Sequence, residues 1–419
     1  MTERATPGYP TGGWSAATGN PPSEGVGAPA PARYLAGMGA GARIDQTRKA
    51  VERACRTTES ADELLDALEV EVQRAVAHDG SIWFGLDPAT MLATAPSRVE
   101  GMDPALCDRF WHLEFHEQDT GLFHDLARGD GVVALQLALG GRAARSIRYR
   151  ECLVPQGYDD ELRAVFRAGA STWGAMALYR ESVHSPFDAD DVAVVRSITG
   201  IVADALRVHV RRAVPWLEPS APGLVVIGES GRLVSANREA LDWLRLLWPL
   251  TADGEGSGAK PAGLLELRDR AIGVPTPLFA LVAKAQAVAE GRERGPARLR
   301  LRDERGRWIV LHASAMSGPG AQGPTVAVVI ESAKSAEVAP IIIDAYSLSP
   351  REREVLGAIA RGASTAEIAA ELFLSGHTVR DYVKTVFEKL GVSSRGELVA
   401  RLFAEHYTDG LHARMAHVD

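Results

Sequence analysis

Residues Leu348–Phe403, LSPREREVLGAIARGASTAEIAAELFLSGHTVRDYVKTVFEKLGVSSRGELVARLF, read as four short helices separated by caps and turns. Ser349 followed by Pro350 and Glu352 supplies an N-cap, a proline at the first helical position and a capping-box carboxylate, which predicts a helix from Pro350 to Arg361. Ser364 with Glu367 repeats the box, so a second helix carries Ala366 to Leu372 with Ile368, Ala369 and Leu372 turned inward. Phe373 and Leu374 make the turn. Ser375 then caps a third helix that runs to Leu390, where Gly391 suits the left-handed position that ends many helices. Ser394 and Glu397 open the fourth.

On the third helix Val379, Val383, Val386 and Leu390 recur at helical spacing and mark a buried stripe. Thr378, Arg380, Asp381, Lys384, Glu388 and Lys389 lie elsewhere on its surface. Two helices joined by a tight turn, the second amphipathic and basic in its N-terminal half, are what a helix-turn-helix needs to enter a major groove. Arg380 and Lys384 lie four residues apart and can point together at base edges, where Arg or Lys to guanine is the commonest specific contact. Asp381 suits a cytosine amino group or a neighbouring cation better than a phosphate.

The stretch resembles the helix-turn-helix domain of LuxR-type transcription regulators through LSPREREVL, GASTAEIAAEL, LSGHTVRDYV and EKLGV. The resemblance implies base contacts from Arg380, Asp381 and Lys384, with Thr378 and Lys389 near the DNA backbone. Two positions depart from the family pattern: Thr365 stands where an asparagine is usual, on an exposed surface, and Tyr382 stands where a histidine is usual, at a packing position. The competing reading is a small helical bundle for protein contacts. Composition alone supports it, because Tyr346 to Ala404 holds eight Lys and Arg against seven Asp and Glu. A domain this close to neutral binds DNA when its cations cluster on one helix and a dimer doubles them.

At 419 residues the chain has room for two to four domains. A net charge of −8 assigns nucleic-acid contact to the C-terminal helices alone. Three cysteines, Cys55, Cys107 and Cys152, without CxxC spacing, give neither a disulfide framework nor a zinc ribbon. No long apolar run or signal pattern occurs, so a soluble cytoplasmic protein with no membrane contact is expected. Residues 1–42, rich in Gly, Pro, Ala, Ser and Thr, read as a disordered leader, and 407–419 as a tail.

Residues 43–212 carry helical apolar spacing at Val51, Ala54 and Cys55 and again from Leu64 to Val76. SIWFGLDP and MLATAPSRV then read as strands joined at Asp87 and Pro88, followed by a helix from Asp103 to Glu117. STWGAMALYRES is a further strand, and the acidic FDADD opens a long amphipathic helix. WGAMALYR and that closing helix resemble a GAF domain, a family that commonly holds a small molecule or a partner. Trp83, Trp111, Tyr158 and Trp173 are candidate walls of a ligand pocket, each with ordinary core as its alternative. His112 and His116, four apart and with Cys107 near by, have permissible spacing for a metal or haem, but no second cluster completes a shell. Cys152 is a redox candidate only if its thiol is exposed and acidic.

Three prolines between Ala213 and Pro222 break the preceding helix. In 213–335, GLVVIGESGRLVSANREALDWL reads as strand, turn, strand and a helix capped by Asn237. ARLRLRDERGRWIVLHASAM is a hairpin about Glu304 to Arg307, and TVAVVIESA a third strong strand. This resembles a PAS domain. It has no cysteine for flavin chemistry, and His312 lies on an alternating strand, so dimerisation or relay without a cofactor is expected. Residues 336–347 form a linker whose Ile341, Ile342 and Ile343 suit docking against a neighbour, and domain 348–406 follows.

The fold class expected is multidomain α+β: GAF-like and PAS-like α/β sensor modules ahead of an all-α four-helix helix-turn-helix domain. The expected function is that of a sequence-specific regulator with double-stranded DNA, a second copy of the chain and RNA polymerase as partners, and an unspecified small-molecule effector. A quorum-type receptor and a phosphorylation-controlled response regulator are the alternatives. The second needs a doubly wound receiver, whose strand and helix alternation is missing. No P-loop, GxSxG or HExxH pattern supports an enzyme.

Overall fold

The computed structural model describes residues 40–210, 221–228, 231, 233–247, 262–267, 270–274, 276–303, 307–316 and 325–399. The tail, nearly all of the expected leader, most of the proline-rich joint and the turn at 304–306 lie outside the described residues.

In the first unit α1 (Ala40–Thr57) buries Ala50, Val51 and Ala54, and a Ser60–Glu63 capping box starts α2 (Ala61–Ala75). Strands β1 (Gly80–Leu86) and β2 (Ala93–Glu100) precede α3 (Cys107–His116) and α4 (Phe123–Arg128). Next come β3 (Val132–Ala134), α5 (Leu135–Ala138), β4 (Tyr158–Ala168), β5 (Ser171–Glu181) and α6 (Ala189–Val210). The strands form one antiparallel sheet in the order β2-β1-β5-β4-β3. Strand alternation sorts its side chains: Trp83, Phe166, Met176 and Leu178 join the core with residues of α1, α2 and α6, while Ile82, Phe84, Ala177 and Tyr179 join the core with residues of α3 and α4.

The second unit contains β6 (Gly223–Ile227), β7 (Leu233–Ala236), α7 (Arg238–Leu247), β8 (Ala262–Leu267), β9 (Arg270–Val274), α8 (Thr276–Ala289), β10 (Arg298–Arg302), β11 (Trp308–Met316) and β12 (Thr325–Ser332). As expected, Asn237 caps α7, its Oδ1 accepting from Ala240 N at 2.9 Å. The sheet order is β10-β11-β12-β6-β7, with β8 and β9 forming a separate hairpin. Numbered within each five-stranded sheet alone, leaving out β8 and β9, both sheets share one connectivity, 2-1-5-4-3.

Helix α8 was not expected from the sequence. It is apolar on nearly every side, with Leu278 to Ala283, Ala285 and Ala287 all buried, so no amphipathic period marks it. It packs on α3 and β11 and reaches β2, so the two units share one continuous core. Polar contacts fix the seam: Lys284 Nζ donates to Thr90 O at 2.7 Å, and Thr94 Oγ1 to Arg300 O at 3.2 Å.

Most of the segment expected as a linker at 336–347 is helical, as α9 (Ser335–Ala345). Its apolar residues divide among three neighbours. Val338 packs with Val310 and Ala333 of the second unit, Ile341 and Ala345 join the α6 side of the first, and Ile343 meets the C-terminal core. The C-terminal unit is α10 (Pro350–Ala360), α11 (Thr365–Glu371), α12 (Gly376–Leu390) and α13 (Arg395–Val399). Among the described residues no helix is long and apolar enough to cross a membrane.

Candidate nucleic-acid interface

Local chemistry builds the C-terminal unit from its caps. Ser349 Oγ accepts from Glu352 N and Ser364 Oγ from Glu367 N, each reciprocated by the glutamate. Ser375 Oγ accepts from Thr378 N at 3.1 Å, and Gly391 ends α12 with φ +64°. Val379, Val386 and Leu390 are buried and Val383 half-buried, which orients the rest of α12 outward. Between α11 and α12, Phe373 adopts φ +55° and is 94% exposed.

The expected DNA-facing residues separate. Arg380, Asp381 and Lys384 are exposed on α12. Arg380 makes no hydrogen bond or ion pair among the described residues, and Lys384 Nζ stands 3.9 Å from Glu388. Asp381 Oδ2 lies 3.0 Å from His377 Nδ1, one turn earlier on the same surface, a residue absent from the expected set although its i,i+4 spacing was readable. Thr378 is half-buried at the cap, its Oγ1 2.8 Å from Ser375 Oγ. Lys389 turns away to α10: Nζ donates to Glu352 Oε2 at 2.6 Å and to Ser347 O at 3.3 Å. Burial works to raise the Glu352 carboxyl, and Lys389 with the Ser349 N–H outweighs it, holding the group below the ordinary carboxylate range. Thr365 is half-buried, not exposed, because its Oγ1 accepts from Arg395 at 3.2 Å.

The sequence profile described as "Bacterial regulatory proteins, luxR family" matches residues 346–402. The spore germination protein GerE of Bacillus subtilis is 44% identical over 55 residues, which are 13% of this chain and 74% of GerE. The chain belongs to the LuxR family of bacterial regulatory proteins. That family is one of regulators, not enzymes. The probable transcriptional regulatory protein NarL of Mycobacterium tuberculosis is 45% identical over 76 residues, 18% of this chain. The probable regulator GfsR of Streptomyces halstedii is 36% identical over 96 residues, 22% of this chain. The chain spans only 32% of NarL and 40% of GfsR. Among solved structures, a GAF domain from a Coxiella burnetii phosphotransferase is 12% identical, covers 40% of this chain and 95% of its own, and has a TM-score of 0.30. Escherichia coli SdiA is 12% identical, covers 87% and 98%, and has a TM-score of 0.29.

In this LuxR-family chain the four aromatic residues expected to wall one pocket lie on opposite faces of the first sheet. Trp83 and Trp173 belong to the core with α1, α2 and α6, whereas Trp111 and Tyr158 belong to the core with α3. Trp83 is held as structure, its Nε1 donating to Glu69 Oε2 at 2.6 Å and its ring stacked on Phe166. Tyr158 Oη donates to Gly101 O. Cys152 is fully buried, and burial pushes its thiol up to about 11, which removes it as a redox sensor. The His112 and His116 rings stack at 4.3 Å; burial first, then the neighbouring His116, pulls His112 down. His116 Nε2 lies 3.0 Å from Ala283 O and Nδ1 3.2 Å from Glu290 Oε2, so it belongs to the seam with α8. Among the described residues no group of three or more His, Cys, Asp or Glu is placed to hold a metal. His312, on the outward face of β11, has Nε2 3.3 Å from Glu337 on α9.

Proposed function

We propose that the chain is a sequence-specific DNA-binding transcription regulator acting as a homodimer, in which the two N-terminal units sense a signal and α9 carries it to α12. The observation that carries this reading is the surface of α12, where Arg380 and Lys384 project one turn apart from a helix whose opposite stripe is buried. A nearly neutral domain gains little from bulk electrostatics, so its affinity rests on specific base contacts and on pairing two half-sites about one DNA turn apart. In this reading GAF-like and PAS-like describe the two units, and RNA polymerase and an effector are the remaining partners.

Coupling is supported by one side chain that joins both N-terminal units to α9. Arg300 on β10 is fully buried against Asp87 of the first unit, Nε to Oδ2 at 2.8 Å and Nη2 to Oδ1 at 2.6 Å. Its Nη1 donates to Glu337 O of α9 at 2.8 Å. Asp344 at the far end of α9 pairs with Arg353 of α10 at 2.8 Å. A shift between the sensor units thus reaches the helix that adjoins the DNA-binding unit, as two-state regulation requires. The test is selection of fragmented genomic DNA by the full-length protein. Enrichment of one near-palindromic sequence is expected, and recovery of fragments in proportion to their abundance would refute the reading.

A further inference from the structure

His377, Arg380, Asp381 and Lys384 follow one another at the i, i+3, i+4 and i+7 spacing that places residues on one face of a helix. All four are exposed, while Val379, Val386 and Leu390 form the buried stripe. His377 lies in the first turn of α12 and Lys384 in the third. A recognition helix presents its N-terminal residues to base edges, so His377 stands nearer the groove than Lys384 does.

Asp381 is the anomaly on this face, because DNA phosphates repel a free carboxylate. Its Oδ2 lies 3.0 Å from His377 Nδ1, and the two side chains are 67% and 80% exposed. Nothing therefore packs over the imidazole. On its own helix its charged neighbours are Arg380 and Asp381, and among the described residues no other element brings an acidic group within ion-pair range of it. A carboxylate oxygen this close favours the imidazole proton on Nδ1, which leaves Nε2 to meet what approaches from outside. In the neutral ring that nitrogen is an acceptor, and in the cation it is a donor. Imidazole is the side chain that makes this change between pH 5 and 8.

We propose that His377 is a base-reading residue of α12, that Asp381 positions it, and that the DNA sequence recognised depends on pH. The proposal rests on α12 being the DNA-contacting helix, and it names a further residue and a regulation of that site. The cation donates from Nε2 to guanine O6 or N7, whereas the neutral ring accepts from the amino group of adenine or cytosine. Asp381 keeps the proton on Nδ1 in both states and offsets the imidazolium charge, so it acts through His377 instead of reading a base itself.

The test is selection by the full-length protein from duplexes with a randomised centre, at about pH 6 and about pH 8, followed by affinity measurements on the enriched duplexes. Wild type is expected to enrich guanine at one position of each half-site at the lower pH and adenine or cytosine there at the higher. The duplex selected at the lower pH should lose about tenfold in affinity at the higher. His377→Gln, a substitution at an exposed site, should enrich one sequence at both pH values and bind it equally at both. Asp381→Asn should keep the guanine at the lower pH and move the loss of affinity to lower pH, because the carboxylate that favours the imidazolium is gone. One sequence enriched by wild type at both pH values, a pH dependence that survives His377→Gln, or an Asp381→Asn variant that changes the enriched base without moving the pH profile would each overturn the proposal. Arg380→Ala separates this failure from a wider one: if it loses enrichment while His377→Gln matches wild type, α12 reads DNA without His377. If wild type enriches no sequence at either pH, the DNA-reading account falls and the proposal with it.

Discussion

Lys389 and Arg380 both sit on α12, yet their side chains have different surroundings. The Lys389 ammonium holds Glu352 at the start of α10 and so ties α12 to the first helix of its own unit. Lys389→Ala should therefore lower the stability of the C-terminal unit by about 1 kcal/mol, the half-exposed pair being partly screened. The slope of DNA affinity against salt should stay unchanged; a smaller slope in that titration would return Lys389 to the DNA backbone. Spacing alone did not separate the two residues, because which way a long side chain folds depends on the neighbouring helix. Asp160 makes a second prediction. Burial pushes its carboxyl up to about 6, against three backbone N–H groups from Gln136, Glu161 and Phe187 that pull it down. A raised folded-state value means that the native chain binds the proton more tightly than the unfolded chain. The stability it contributes is complete below about pH 4 and is lost as pH rises through 6, by roughly 3 kcal/mol. Chemical denaturation of wild type and Asp160→Asn across that range isolates this component, and a wild-type advantage that grows with pH would contradict it.

At the scale of elements, the four C-terminal helices were legible to within a residue or two, because each carries its own cap in sequence. β4 was not. Its YDDELRAVFRA reads as polar, yet Glu161 and Arg163 are both fully buried and neutralise one another, so binary patterning fails where charges pair inside. α8 failed for the opposite reason, being apolar all round. For α9 the isoleucine run showed that something docks, but not that Ile341 and Ile343 serve different neighbours. Asp87→Asn leaves the Arg300 guanidinium buried without its carboxylate, a loss of about 3–5 kcal/mol for a pair this deep. Amide exchange in α9 should then accelerate together with the β10 edge; α9 amides that exchange at the wild-type rate would uncouple it from the junction.

For the whole molecule, two sheets of identical strand order are fused through α8 into one core, and a nearly neutral helical unit is joined to them by a docked helix. The shared strand order was invisible in sequence, because β4 was hidden and the second unit's centre is glycine-rich. The four proposed pocket aromatics show the same limit, since strand parity, which decides the face, needs the register. What was legible, a capped amphipathic α12 with two outward cations, carries the proposed function. The direct test is fluorescence anisotropy of the full-length protein on its selected DNA sequence and on a scrambled duplex, beside Arg380→Ala and Lys384→Ala. Each substitution should cost about 1–3 kcal/mol on the selected sequence and little on the scrambled one. Equal losses on both duplexes would contradict base reading by α12.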